Sequence, residues 1–452
     1  MCGLAMINER RAFNLLSLVV SALLVSSCAL DDLRDDSRKF NQNYGAFKGQ
    51  VSGSDDGSNI VVGLFKHDGE QLILANARTV SEGETFYLLV QEADYVLKAF
   101  RDLNGDFIYQ PGEPAAHIND PHIKWLRDQK IQGRLDWSTL QVQPIELTSN
   151  TRLESELDFS LVTLRRDTDV AQNFLTTVSW DDERFSDENV KLGEWQPSAF
   201  IEKIDYGLYA LNDFDPTQKT IVLVHGISDS PRVFETLANE IPNDYQVLMF
   251  HYPSAVSLEY TAYLLSVALN ELTRRFQIPQ LDIVAHSTGG LVSKGAISLS
   301  NASARERMRL FVSIASPYGG HAGAAAGIKW SPVKSPAWFA MAPGSNYLQE
   351  ISTLDLSNGP THHLIYSYSH ERDGKREDND GVVTVESQLV ESAQHNATAM
   401  YGIADNHVGA VSNPCTLKLL TAILQDGNAG ASVPGCGADD TSPASLDTAP
   451  VD

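Results

Sequence analysis

The stretch Ile283-Val284-Ala285-His286-Ser287-Thr288-Gly289-Gly290-Leu291 restricts this chain more than any other. An apolar run of buried-strand character ends on a serine, and a helical pattern begins at Leu291. A strand that becomes a helix within a few residues must turn sharply, leaving the corner serine on a strained backbone with its hydroxyl presented outward. The residues two positions to either side must be small enough for strand and helix to approach. Ala285 and Gly289 meet that demand, with Ala where a glycine is usual. The spacing therefore predicts a βα unit with Ser287 Oγ above the positive end of a helix.

The surroundings extend the pattern. Ile221-Val222-Leu223-Val224, Leu281-Asp282-Ile283-Val284, Leu310-Phe311-Val312-Ser313-Ile314 and His363-Leu364-Ile365-Tyr366 read as buried parallel strands. Helical spacing such as that of Tyr260–Phe276 lies between them. Residues 201–425 are thus expected to form an α/β domain with a doubly wound, mostly parallel sheet. Residues 46–165 follow a period of two in Ile60–Phe65, Phe86–Val90 and Tyr95–Phe100, which predicts a small all-β sandwich of antiparallel strands. Residues 166–200 read as a charged linker with possible helical pieces, and 426–452, rich in Gly, Ala, Ser, Pro and Asp, as a disordered tail.

Composition narrows the function. The 452 residues carry 34 Lys+Arg against 58 Asp+Glu, a net charge of −24 that repels phosphate backbones, so no nucleic-acid partner is expected. Four cysteines make neither a disulfide-framework miniprotein nor a zinc ribbon. Cys415 and Cys436 are a candidate pair in an oxidising compartment, against which stands the disordered character of the segment around Cys436.

At the start of the chain, Glu9-Arg10-Arg11 precedes the apolar run Ala12–Leu24, the layout of a secretory signal in residues 1–27. Its end, Leu24-Val25-Ser26-Ser27-Cys28, resembles the lipobox of bacterial lipoproteins. The resemblance implies that Cys28 is lipidated and becomes the new N-terminus, with residues 28–45 as a flexible tether. Two acyl anchors suffice for stable membrane attachment. Ala29, where an Asp would retain such a protein at the inner membrane, implies an outer-membrane address in a two-membrane host. The alternative is an ordinary cleaved signal with an incidental Cys28.

Three further segments bear on Ser287. Val224-His225-Gly226-Ile227 ends the first strong strand, and Asp378-Asn379-Asp380-Gly381 and Asp405-Asn406-His407 follow later strands. With the serine turn they resemble the lipase/esterase branch of the α/β-hydrolase superfamily, particularly secreted bacterial lipases and PGAP-like esterases. The resemblance implies a triad of Ser287, Asp380 and His407, with the backbone N–H groups of Ile227 and Thr288 as oxyanion donors. Asp378 is an alternative acid, and Asp405 reads as a turn residue. His225 and His286 read as local packing residues, and His321, His362, His363 and His370 as surface or loop residues. Pro343–Leu348, with Trp330 and Trp338-Phe339, lies where the family carries a cap. A serine at the turn argues against dehalogenase and epoxide hydrolase chemistry, which need Asp there.

The 46–165 segment resembles prealbumin-like sandwiches of secreted bacterial enzymes. Within it Asp102, Asn104, Asp106 and Glu113 have the spacing of a calcium loop, although glycine falls at position 4 and not 6. Two readings stand: a structural calcium site, or a metal-free Asn-Gly turn. No cofactor is expected for catalysis. The sequence thus points to a membrane-anchored, extracytoplasmic serine hydrolase acting on carboxylic esters or lipids. Acyl transfer, or thioester or amide cleavage, by the same triad is the alternative, and a non-catalytic envelope-binding protein on this scaffold is another. No protein partner is legible.

Overall fold

The computed structural model describes residues 32–36, 44–52, 58–68, 71–91, 95–118, 138–141, 144–153, 175–204, 206–354, 356, 359–368 and 378–426. The signal segment 1–27, Cys28, His370, Cys436 and the tail beyond 426 lie outside the described residues. Among the described residues no helix is long and apolar enough to cross a membrane.

The N-terminal strands are β1 (Tyr44–Ser52), β2 (Asn59–Asp68), β3 (Gln71–Val80), β4 (Thr85–Gln91), β5 (Tyr95–Asp102), β6 (Ala115–Ile118), β7 (Ser138–Gln141) and β8 (Ile145–Glu146). They make two sheets, one ordered β4-β1-β7 with β8 also on β1, the other β3-β2-β5-β6. Phe47, Phe86 and Leu88 from the first sheet share one buried cluster with Ile60, Val62, Leu64 and Leu97 from the second. The intervening Val61 and Phe65 of β2 join a different cluster on the opposite face. Period two thus decides which residues face which core. One expectation needs correcting: β7 and β8 pair with β1 in parallel, so the strands are not all antiparallel.

The third and largest sheet contains β9 (Thr176–Thr177), β10 (Gly207–Ala210), β11 (Lys219–Val224), β12 (Tyr245–His251), β13 (Leu281–His286), β14 (Met308–Ile314), β15 (Thr361–Tyr368) and β16 (Ala399–Ala404). Its order is β16-β15-β14-β13-β11-β12-β10-β9. Every pairing from β16 to β12 is parallel, and β10 runs antiparallel to β12. Along β11, Val222 and Val224 enter one core, while Ile221 and Leu223 enter the core on the other face. The first core is completed by helices at Leu258–Phe276 and Thr288–Leu299, the second by the helix at Pro414–Asp426. The fold is therefore α/β with a doubly wound, mostly parallel sheet, preceded by the two smaller sheets.

Two segments read from sequence as connectors are structured. In the expected linker 166–200, β9 extends the large sheet, and helices α1 (Asp187–Trp195) and α2 (Pro197–Lys203) follow. These are the helical pieces the sequence allowed for, too short for an apolar period to fix their bounds. In the expected tether 28–45, residues 32–36 are helical, with Leu33 fully buried. The Asp36 carboxylate accepts from the Ser198 and Ala199 N–H groups at 2.9 and 3.3 Å, and from the Ser198 hydroxyl. Gln196, at the N-cap of α2, makes no side-chain cap bond of its own. A residue far away in sequence therefore caps this helix. Asp36→Ala should cost about 1–2 kcal/mol, the range of a lost N-cap, read from denaturant unfolding; an unchanged midpoint would contradict the docking.

Candidate active site

Ser287 sits between β13 and α4 (Thr288–Leu299), with α3 being Leu258–Phe276. Its backbone is at φ 55°, ψ −130°, a region that costs a non-glycine residue about 1–3 kcal/mol. The turn is pinned from the neighbouring strand, because the Ser287 N–H donates to Ile314 O at 2.9 Å. Gly289 is required for contact: an added Cβ would fall 2.3 Å from Val224 O. Gly226 is required at the site itself, since a Cβ there would come within 2.8 Å of Ser287 Cβ and 3.2 Å of its Oγ. The next residue, Ile227, thus leaves the loop directly beside the hydroxyl. Thr288 is the first helical residue, and its N–H has no intrahelical acceptor.

The side chains of Ser287, Asp380 and His407 converge. His407 Nε2 is 2.9 Å from Ser287 Oγ, and His407 Nδ1 is 2.8 Å from Asp380 Oδ2. All three are buried. Asp380 Oδ1 accepts the N–H groups of Val382 and Val383 at 3.0 and 2.7 Å, and Oδ2 also accepts the Ser367 hydroxyl at 2.5 Å. Burial pushes the Asp380 pKa up. The hydrogen bond from His407 and the attraction of its protonated form, with the bonds from Ser367 and Val383, outweigh that and leave it below the ordinary carboxylate value. An ionised carboxylate only accepts, so His407 carries its proton on Nδ1 and offers the Nε2 lone pair to the serine hydroxyl.

No protein-family model matches the sequence, and no curated protein matches it. Solved structures with a similar fold include the mature lipase BlEst2 of Bacillus licheniformis, 16% identical over 48% of this chain and 97% of that one, TM-score 0.39. Lipase B of Aspergillus fumigatus is 14% identical over 49% of this chain and 56% of its own, TM-score 0.35. An esterase of Pyrococcus furiosus is 18% identical over 47% and 83%, TM-score 0.32. At such identities and scores the likeness carries no argument about chemistry.

The remaining candidates separate cleanly. Asp378 is exposed, and its backbone carbonyl caps Val385 N–H at 2.9 Å. Asp405 accepts from Asn406 N–H and Asn413 Nδ2 within its own turn. His286 donates from Nε2 to His407 O at 3.0 Å and packs its ring 4.8 Å from the His407 ring. Burial holds its pKa down, against the pull of Asp229. His225 bonds Gly226 O at 2.8 Å, and burial lowers its pKa to about 4, so it is a neutral brace for the glycine turn. His321 bonds Val382 O at 2.9 Å. The surface reading of His362 and His363 is wrong. Both are buried in β15, on Ser313 Oγ and Tyr401 OH respectively, because neutral imidazoles with partners tolerate a core.

Three site residues carried no sequence signal. Ser367 holds Asp380, and Gln388 holds Ser367 through its N–H and C=O at 2.8 and 2.9 Å. Glu194 of α1, its pKa raised by burial, bonds Ser228 just after Ile227. None belongs to a motif, and only the fold brings them in. Of the cap segment, Ala322–Trp330, Pro336–Met341 and Asn346–Ser352 are helical; Tyr347 donates to Leu291 O at 2.9 Å, whereas Trp330 is 75% exposed.

In the Asp102–Glu113 loop both readings from the sequence, a calcium site and a metal-free turn, stand beside the following bonds. Its carboxylates are engaged by the loop's own amides. Among the described residues no group of three or more His, Cys, Asp or Glu side chains is arranged to hold a metal ion.

Two outcomes follow for the site. Gly289→Ala forces a methyl onto a carbonyl, so it should destabilise by about 1–3 kcal/mol or more; a wild-type melting temperature would contradict the turn. The depressed Asp380 pKa gives stability that is present above the unfolded value near 3.9 and lost as pH falls through the folded value. Ser367→Ala raises that folded value, so acid unfolding should begin at higher pH than in wild type.

Proposed function

We propose that the chain is a serine hydrolase of carboxylic esters, working through Ser287, His407 and Asp380. What supports this reading above all is the line of two hydrogen bonds, Ser287 Oγ to His407 Nε2 and His407 Nδ1 to Asp380 Oδ2, at 2.9 and 2.8 Å. As Ser287 Oγ attacks the ester carbon, His407 Nε2 takes the hydroxyl proton, and Asp380 steadies the imidazolium without being protonated. The carbonyl oxygen becomes an oxyanion facing the N–H groups of Ile227 and Thr288, each contributing about 3 kcal/mol in the transition state. Collapse breaks the bond to the alkoxide, which leaves with the His407 proton as an alcohol. A water deprotonated by His407 then attacks the acyl-enzyme, and the acid departs.

Val382, two residues after the acid, and Val408, next to the base, are 52% and 56% exposed. Apolar surface so close in the chain to the triad supports acyl chains as the substrate class. We further propose attachment to a membrane through lipidated Cys28, on an extracytoplasmic face. The apolar run ending in Leu24-Val25-Ser26-Ser27-Cys28 supports it. The disulfide at Cys415 supports the extracytoplasmic face, since structural disulfides belong to oxidising compartments.

A chain-length series of aryl esters tests the reaction. Ser287→Ala should lower turnover by about 10⁴-fold or more, and Asp380→Asn by about 10⁴-fold. Asp378→Asn should stay near wild type. Undiminished turnover in Ser287→Ala would end the proposal.

A further inference from the structure

The Asp102–Glu113 loop has the acidic spacing of a cation site, yet its oxygens are spent on backbone amides. Asp102 accepts Gly105, Asp106 and Phe107 N–H at 2.8, 3.2 and 3.0 Å. Glu113 accepts Leu103 and Gln110 N–H, both at 2.9 Å, and Asp106 accepts Ile108 N–H at 2.8 Å. The second Asp106 oxygen takes Asn104 Nδ2 and Gln110 Nε2 at 2.9 and 2.8 Å. Partial positive charge from these donors does what a cation does elsewhere: it gathers the carboxylates and fixes the loop.

The conformation so fixed has a use. Phe107 is a bulky residue at φ 61°, where its kind is an outlier, and its N–H is held there by Asp102. Its ring is buried, with the Arg275 guanidinium of α3 lying 4.8 Å from the ring centre. Beside it runs β3, an edge strand of its sheet, and edge strands present N–H and C=O groups that need covering. At Thr79 both are taken by α3: the N–H donates to Glu271 Oε1 at 3.1 Å, and the carbonyl accepts from Arg274. Arg274 also reaches Ser81 Oγ at 3.0 Å and Glu84 Oε2 at 2.8 Å. Glu271 is buried and is tied to Arg275 Nε at 3.0 Å. A single face of α3 thus imitates a neighbouring strand.

We propose that the Asp102–Glu113 loop and the β3 edge are a docking surface whose partner is helix α3 of this same chain, and that the loop needs no calcium to present it. The small sheets are then a brace on α3 and unfold together with the α/β part. Helix α3 packs in turn on α4 behind Ser287, where a Cβ at Gly295 would lie 3.0 Å from Ala262 Cβ. The inference does not depend on which reaction Ser287 performs.

Full-length protein tests it by calorimetry with and without a chelator. Wild type should unfold in one transition, at the same temperature in either buffer. Arg274→Ala should split that transition or lower it. The cycle of Glu84→Gln, Arg274→Gln and the double variant guards against a variant that fails to fold. The double variant should lose no more than the worse single one, since both remove one contact. Separate wild-type transitions, a chelator-induced drop in melting temperature, an unaltered Arg274→Ala melt, or strictly additive losses in the cycle would each overturn the proposal.

Discussion

The backbone of Ser287 is the constraint on which the rest depends. A serine does not stay at φ 55° by its own preference, and about 1–3 kcal/mol favours its relaxing. What prevents that is the packing of β13 between β11 and β14, and of α4 onto the strands. In β11 alone Ile221, Val222, Leu223 and Val224 are fully buried. Each such side chain contributes about 1.5–3 kcal/mol, an upper bound that still exceeds the strain several times over for one strand. The glycines at 226 and 289 turn this into geometry, because each sits where a methyl would collide with the turn or with Ser287 itself. The placement of the Ser287 hydroxyl is therefore a property of the whole sheet, displayed at its C-terminal edge.

How much of this was legible depended on the range of each interaction. Parallel strands buried on both faces are continuous apolar runs, so β11, β13, β14 and β15 stood out. The serine turn was legible because its demand for small neighbours is local, whereas Asp380 and His407 were singled out only by the resemblance to the α/β-hydrolase triad order. Asp36 was not legible as a cap, since the helix it caps begins at Pro197 and nothing near either residue announces the other. Ser367 and Gln388 act on Asp380 through a strand end and a loop that only the fold joins. Histidine pairs misled in a different way: His362 and His363 have the polarity of a surface, but find Ser313 and Tyr401 inside the sheet. The acidic loop left two readings open because carboxylates accepting amides share their spacing with carboxylates holding a cation.

The supporting groups around His407 also explain why a buried acid and base remain matched. Asp380 is kept ionised by donors on three sides, while His286 and His225 are held neutral by burial. A second positive charge beside His407 would disfavour protonation of its imidazole. Neutral histidines can brace the base and the Gly226 turn without that penalty.

The most direct measurement is the mass and location of the adduct formed with a fluorophosphonate, which captures a serine only where the hydroxyl is activated. The account predicts one adduct per folded chain, on the peptide containing Ser287, absent from heat-unfolded protein. A folded protein that stays unlabelled, or is labelled at another residue, would contradict it.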